Sequence, residues 1–265
     1  MATETRIPRS LDGEPLDDHA LLVPMGCYQG VEYINQYGRN PTCADGADEE
    51  IWNGSVVYSN PATALMTKLS QTADQAALRG ATVHIKGLDA NWDLVEQDVL
   101  LDASDTTTHV VLATLGTPLL RVYYAEIHGT VASTSSVRLH NDAEDTDYFV
   151  MPTGNNSTAL AWYTVPAGHT AYMTNWWAQH NPKTGNNFTS NLMRVWTKDN
   201  VDGSARIVRA QNGIAENGHF QHYYTPYMKF TEKTDIQITS SPVGAAADIS
   251  AGFDLILVAN DRRNP

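Results

Sequence analysis

Short runs in which apolar and polar residues alternate, each closed by Gly, Pro, Asn or Asp, recur along the chain, while helical periodicity is scarce. A period of two puts alternate side chains on one face of a strand, so such a chain buries its apolar residues by packing sheet against sheet. Thr82 to Lys86 alternates, Asp89-Ala90-Asn91 makes a three-residue connection, and Trp92 to Leu101 resumes the pattern. This predicts a hairpin with Trp92 beside its turn. Leu120 to Ile127 and Ser136 to His140 read as further strands, as do Leu192 to Trp196, Ala205 to Arg209 and Asp235 to Ile238. In Val165-Pro166-Ala167-Gly168 the proline presets φ and the glycine admits positive φ. A tight reversal is predicted there, between Ala161-Trp162-Tyr163-Thr164 and Thr170-Ala171-Tyr172-Met173.

The closing run carries Ile249, Ala251, Phe253, Leu255 and Leu257 on one face, with Ile256 and Val258 on the other. A strand apolar on both faces near its end is expected to be central in its sheet or packed between layers. Spaced strands without crossover helices favour antiparallel pairing over a parallel α/β sheet. The fold class expected is all-β: two antiparallel β-sandwich lobes, jelly-roll-like, over residues 26–150 and 151–265, behind an extended arm of residues 1–25. Pro8, Pro15 and Pro24 discourage regular structure in that arm. The acidic, turn-rich stretch from Asn141 to Ser157 is the expected boundary between lobes, or else a long loop within one domain. Pro61 to Leu69 reads equally as a short helix or as entry to a strand.

With 265 residues the chain is long enough to build a sizeable core, and 17 Lys and Arg stand against 30 Asp and Glu, a formal net charge of −13. No basic patch offsets that charge, so neither nucleic acid nor an anionic membrane is an expected partner. Residues 1–18 are polar and more acidic than basic, with no apolar core behind a basic start, so no secretory signal is expected, and no apolar run reaches membrane-spanning length. Cys27 and Cys43 lack the spacing of a zinc or redox motif and are expected as free thiols, a disulfide between them being the alternative.

Motifs that carry chemistry are thin. The acidic runs Asp45, Asp48, Glu49, Glu50 and Asp142, Glu144, Asp145, Asp147 offer hard oxygen ligands, but neither has the glycine-centred loop and terminal glutamate of a calcium site. His219 and His222 are three residues apart, a spacing that on a strand sends them to opposite faces. No nucleophile elbow and no phosphate-cradling glycine loop occurs in the sequence. No catalytic residue, metal or cofactor is therefore assigned, and the chain is read as a non-enzyme.

Aromatic residues remain. Most of the group Trp162, Tyr163, Tyr172, Trp176, Trp177, Trp196, Tyr223, Tyr224 and Tyr227 reads as core, and Trp176, Trp177, Tyr223 and Tyr224 are the candidate interface residues. Adjacent strand residues face opposite ways, so one indole of the Trp176-Trp177 pair must look outside its own sheet layer.

Four segments occur in order: Gly38-Arg39-Asn40-Pro41 leading to Glu50-Ile51-Trp52; Ile85-Lys86-Gly87-Leu88-Asp89-Ala90-Asn91-Trp92; Tyr163 to Tyr172; and Ile249 to Val258. In that order they resemble uncharacterised virion structural proteins of tailed bacteriophages, especially phages of aquatic bacteria. The resemblance implies a non-enzymatic virion part, assembled in the host cytoplasm. It would decorate or stabilise the capsid, or form part of the neck or tail surface, as a symmetric homo-oligomer touching capsid, neck or tail subunits. The alternative is a host-recognition protein of tail or fibre that binds a receptor or glycan through aromatic residues and acidic loops.

Overall fold

The computed structural model describes residues 19–54, 58, 60–71, 78, 80–101, 110–128, 133, 136–181 and 190–263. Its chain order begins with a helical turn, α1 (His19–Leu22), followed by β1 (Val31–Cys43) and β2 (Glu49–Glu50). A middle group follows: β3 (Met66–Gln71), β4 (Thr82–Leu88), β5 (Leu94–Leu100), β6 (Val110–Leu119), β7 (Arg121–His128), β8 (Val137–His140) and β9 (Asp147–Met151). The last group is β10 (Trp162–Thr164), β11 (His169–Asn181), β12 (Ser190–Asp199), β13 (Ile207–Ala215), β14 (His219–Phe230), β15 (Thr234–Val243) and β16 (Ala247–Ala259). The expected all-β, antiparallel sandwich architecture is what the chain adopts. The ambiguous segment at Pro61 to Leu69 resolves in favour of a strand, β3.

β1, β16, β11 and β14 lie in that order in one sheet, and β10, β15, β12 and β13 in the other, with β2 added against β15. Taken in chain order, the first of these strands lies beside the last, and each sheet draws strands from both halves of the run. That interleaving is a jelly roll. Its interior is one buried cluster fed by both sheets, including Met173, Trp176, Met193, Val195, Ile238 and Phe253. β16 is central, paired from Val31↔Val258 to Asn40↔Ile249 with β1 on one side and with β11 on the other. The two-faced apolarity of its end, read from sequence, fits this place.

Two sequence expectations change here. The reversal at Pro166-Ala167-Gly168 exists, with Gly168 at φ 69°, but its flanking strands do not form a hairpin. β10 pairs with β15 and β11 with β16, in opposite sheets, so the turn is an arch between layers. The lobe boundaries also differ from 26–150 and 151–265. β1 and β2 belong to the jelly roll, and β3 to β9 are inserted between β2 and β10 as a second sandwich, β6-β3-β8-β9 against β5-β4-β7. A β-strand carries no signal of its partner's distance along the chain, so β1 read as part of the lobe that follows it. The stretch Asn141 to Ser157 contains β9, which pairs with β8 inside the inserted lobe. Of the expected arm, residues 1–18 lie outside the described residues. Its remainder is docked, with Leu22 and Val23 buried.

The predicted hairpin joins β4 to β5 in full register from Thr82↔Leu100 to Leu88↔Leu94, but its connection spans residues 89–93, so Trp92 and Asp93 belong to the turn and not to the strand. Asp89 Oδ1 accepts from the amides of Asn91 and Asp93, and Trp92 sits in the turn at φ 69°. That tip touches the jelly roll, because the Ala167 amide donates to the Trp92 carbonyl at 2.9 Å. Gln36 of β1 reaches across the same junction and donates to the carbonyls of Tyr123 and Leu160, both at 2.8 Å. Arg121, at the start of β7, makes a fork of hydrogen bonds to Asp235 at the start of β15. The lobes are therefore joined by buried polar contacts as well as by chain.

Gly38 of β1 marks a close approach. A Cβ there would lie 2.3 Å from the Ala161 amide nitrogen and 2.3 Å from the Ile51 carbonyl oxygen, both backbone atoms that cannot swing aside. Gly38→Ala is expected to destabilise by about 1–3 kcal/mol or more through overpacking. An unchanged urea midpoint would show that the two backbones can separate freely.

Cys27 and Cys43 are both free thiols. Cys43 is fully buried, and burial pushes its thiol up to about 12.

Candidate functional site

The outward face of the β1-β16-β11-β14 sheet is where the molecule gathers exposed aromatic rings. Period-two alternation on β1 turns Ile34, Gln36 and Gly38 inward and Tyr33, Asn35, Tyr37 and Arg39 outward. Across the sheet, Tyr37 stacks on Trp177 with centroids 6.0 Å apart and 19° between planes. Further along, Asn35 faces Asp254 on β16, which faces Asn175 on β11, which faces Tyr223 on β14.

Regular pairing breaks at this row. On β11 the register shifts between Met173 and Asn175 against both neighbours, and Thr174 is an extra residue relative to β16. On β14 the residues between Tyr223 and Met228 bulge out opposite that point. Bulges bend a strand and re-aim its side chains, and these open a cleft of about 480 Å³ lined by Tyr33, Asn175, Tyr223, Tyr227, Asp254 and Gln221 among others. Tyr33, Tyr223 and Tyr227 are 38%, 66% and 52% exposed.

Asp254 is the polar centre of this cleft. Asn35 Nδ2 donates to its Oδ1 at 2.5 Å and Asn175 Nδ2 to its Oδ2 at 2.6 Å, so both oxygens are held in a fixed plane. Burial, with a hydrogen bond to Asp254, pushes the Tyr33 phenol up to about 12, so it stays a protonated donor over the physiological range. The arrangement combines aromatic faces with oriented hydrogen-bonding groups.

The four sequence-nominated interface residues fall in different places. Trp176 does not reach the surface: it is 2% exposed, packed edge-on against Phe220 in the jelly-roll interior. The inward position in the alternation of β11 went to Trp176, and Trp177 took the outward one. Tyr223 is at the cleft. Tyr224 is half-buried, in edge contact with His222, and also borders a groove between β13 and β14 near Arg209. Sequence reasoning missed Tyr33, Asn35 and Asp254. Their signal was present as the alternation Tyr33, Asn35, Tyr37, Arg39 and as the carboxylate interrupting an otherwise apolar closing strand.

The acidic runs have other occupations. Asp48 accepts from Arg194 at 3.0 Å and from Arg206 at 3.3 Å. Glu50 accepts from Arg206 at 3.1 Å and from the Tyr58 amide at 3.2 Å. In the second run Asp147 accepts from Arg138 and Asp145 from Asn141. His219 and His222 lie opposite Gln179 and Trp176, which point to different sides of the sheet. Among the described residues, no group of three or more His, Cys, Asp or Glu is placed to hold a metal ion.

No protein-family model matches this chain, and no curated protein matches it. Among solved structures it is similar to "Structure of infectious bursal disease virus Gt strain", at 9% identity, covering 88% of this chain and 74% of that one with a TM-score of 0.25. A likeness at that level assigns neither fold nor function.

Proposed function

We propose that this chain is a non-enzymatic structural protein of a tailed-bacteriophage virion. It would be carried in repeated copies on the head, neck or tail surface, as a symmetric homo-oligomer in contact with other virion proteins. The observation that supports this reading most is the jelly roll with its interior filled by side chains. Such a domain acts through its outer faces, edges and loops. Jelly rolls recur in viral capsid domains, and also in lectins and cupins, so the fold enters as analogy.

The edges add a physical reason for assembly. β13 and β14 end the two sheets on the same side of the sandwich, each paired on one flank only among the described residues. β13 exposes Ile207 and Val208 as well as its unpaired backbone groups. An uncovered edge of this kind is a template for pairing with another chain, and closed symmetry is the default for soluble oligomers.

Counting the copies in purified particles, by quantitative mass spectrometry against the major head protein, tests the proposal. A structural subunit is expected at a high ratio fixed by particle symmetry and to stay attached through a salt wash. A handful of copies per particle, or none, would overturn it.

A further inference from the structure

We propose that the cleft on the outward face of the β1-β16-β11-β14 sheet is a binding site for a neutral saccharide, with Tyr223 and Tyr227 as stacking platforms and Asp254 as the hydroxyl acceptor. This does not rest on the virion reading. A pyranose offers an apolar C–H face and a rim of hydroxyls, so a site for it needs exposed aromatic faces beside fixed hydrogen-bonding groups. Tyr223, the last paired residue before the bulge of β14, and Tyr227 within that bulge supply the first. Asp254 supplies the second.

Two side chains orient that carboxylate in advance, Asn35 and Asn175, one on each oxygen. A carboxylate oxygen can accept more than one hydrogen bond, so capacity for a hydroxyl donor remains on Asp254. Pre-orientation lowers the ordering cost of binding. Gln221 and Thr174 border the same cleft with further polar groups. A protein partner would be favoured by a flat apolar patch, but this surface is concave with a carboxylate at its centre. That carboxylate, with a net charge of −13 on the chain, selects for a neutral ligand over an anionic one.

Isothermal titration of the full chain with maltohexaose, cellohexaose, chitohexaose and mannohexaose tests this, with oligogalacturonate as the anionic counterpart. At least one neutral oligosaccharide is expected to bind, and oligogalacturonate to bind at least about tenfold more weakly. Tyr223→Ala and Asp254→Asn should each weaken the binding by roughly tenfold or more, the scale of losing one stacking or one charge-assisted contact. Tyr223 is exposed, so cutting it back leaves the core closed and a loss in that variant reports the cleft rather than unfolding. The inference fails if none of the four binds at about 10 mM, at the weak end of measurable affinity. It fails equally if Tyr223→Ala binds like the parent chain, or if oligogalacturonate binds as well as the neutral sugars.

Discussion

Arg121→Ala is expected to cost about 3–5 kcal/mol of folding stability, the usual result of removing one partner from a buried ion pair. Arg121 and Asp235 have side chains only 4% and 5% exposed, joined by two hydrogen bonds of 3.0 and 3.1 Å. The remaining guanidinium nitrogen donates to the carbonyls of Pro61 and Leu120 at 2.9 Å, and Asp235 Oδ1 also accepts from Thr164 at 2.6 Å. Every charge is thus met, and the guanidinium also lies 4.8 Å from the centre of the Trp92 ring. Alanine at 121 leaves the Asp235 carboxylate buried with a single hydroxyl partner. The pair ties β7 of the inserted lobe to β15 of the jelly roll, so its loss should also loosen the junction between lobes. Urea denaturation of Arg121→Ala, beside the double variant Arg121→Met/Asp235→Leu, checks the cause. If the stranded charge dominates, the double variant should recover much of the loss. A single variant within about 0.5 kcal/mol of the parent, the range of an ordinary surface change, would rule the argument out.

Phe253→Ala should have an effect of similar size, about 3–5 kcal/mol, from lost transfer energy and an unfilled cavity. The ring is fully buried in the middle of β16, the strand flanked by β1 and β11, and its neighbours in the cluster come from both sheets of the jelly roll. Collapse around the vacancy is hindered because the surrounding strands are pinned on both flanks. A denaturation midpoint close to the parent's would mean that the interior repacks without penalty.

Much of the local structure was legible in the residues. Asp89-Ala90-Asn91 announced the β4–β5 hairpin because a short polar connection between alternating runs leaves few other conformations. Gly168 announced its turn because positive φ is open to glycine at little cost. Burial of Phe253 followed from period-two alternation alone. The Trp176-Trp177 pair was legible only halfway: alternation requires one indole inward and one outward, but which is which depends on the register of β11 against β16.

Strand identity, and which residues of a strand share a face, were determined by the sequence itself, since side-chain alternation is a property of consecutive residues. Partnership was decided by the tertiary structure. Val31 pairs with Val258, and nothing in either run names the other. Antiparallel pairing can be satisfied by many strands, and the choice falls on the arrangement that buries the apolar faces of all of them at once. The same choice placed β1 in the jelly roll despite the insertion of β3 to β9. It also assembled the cleft, where Asn35, Asn175, Tyr223 and Asp254 come from four separate strands. Their convergence depends on a register shift in β11 and a bulge in β14, irregularities that only the packed sheet could select.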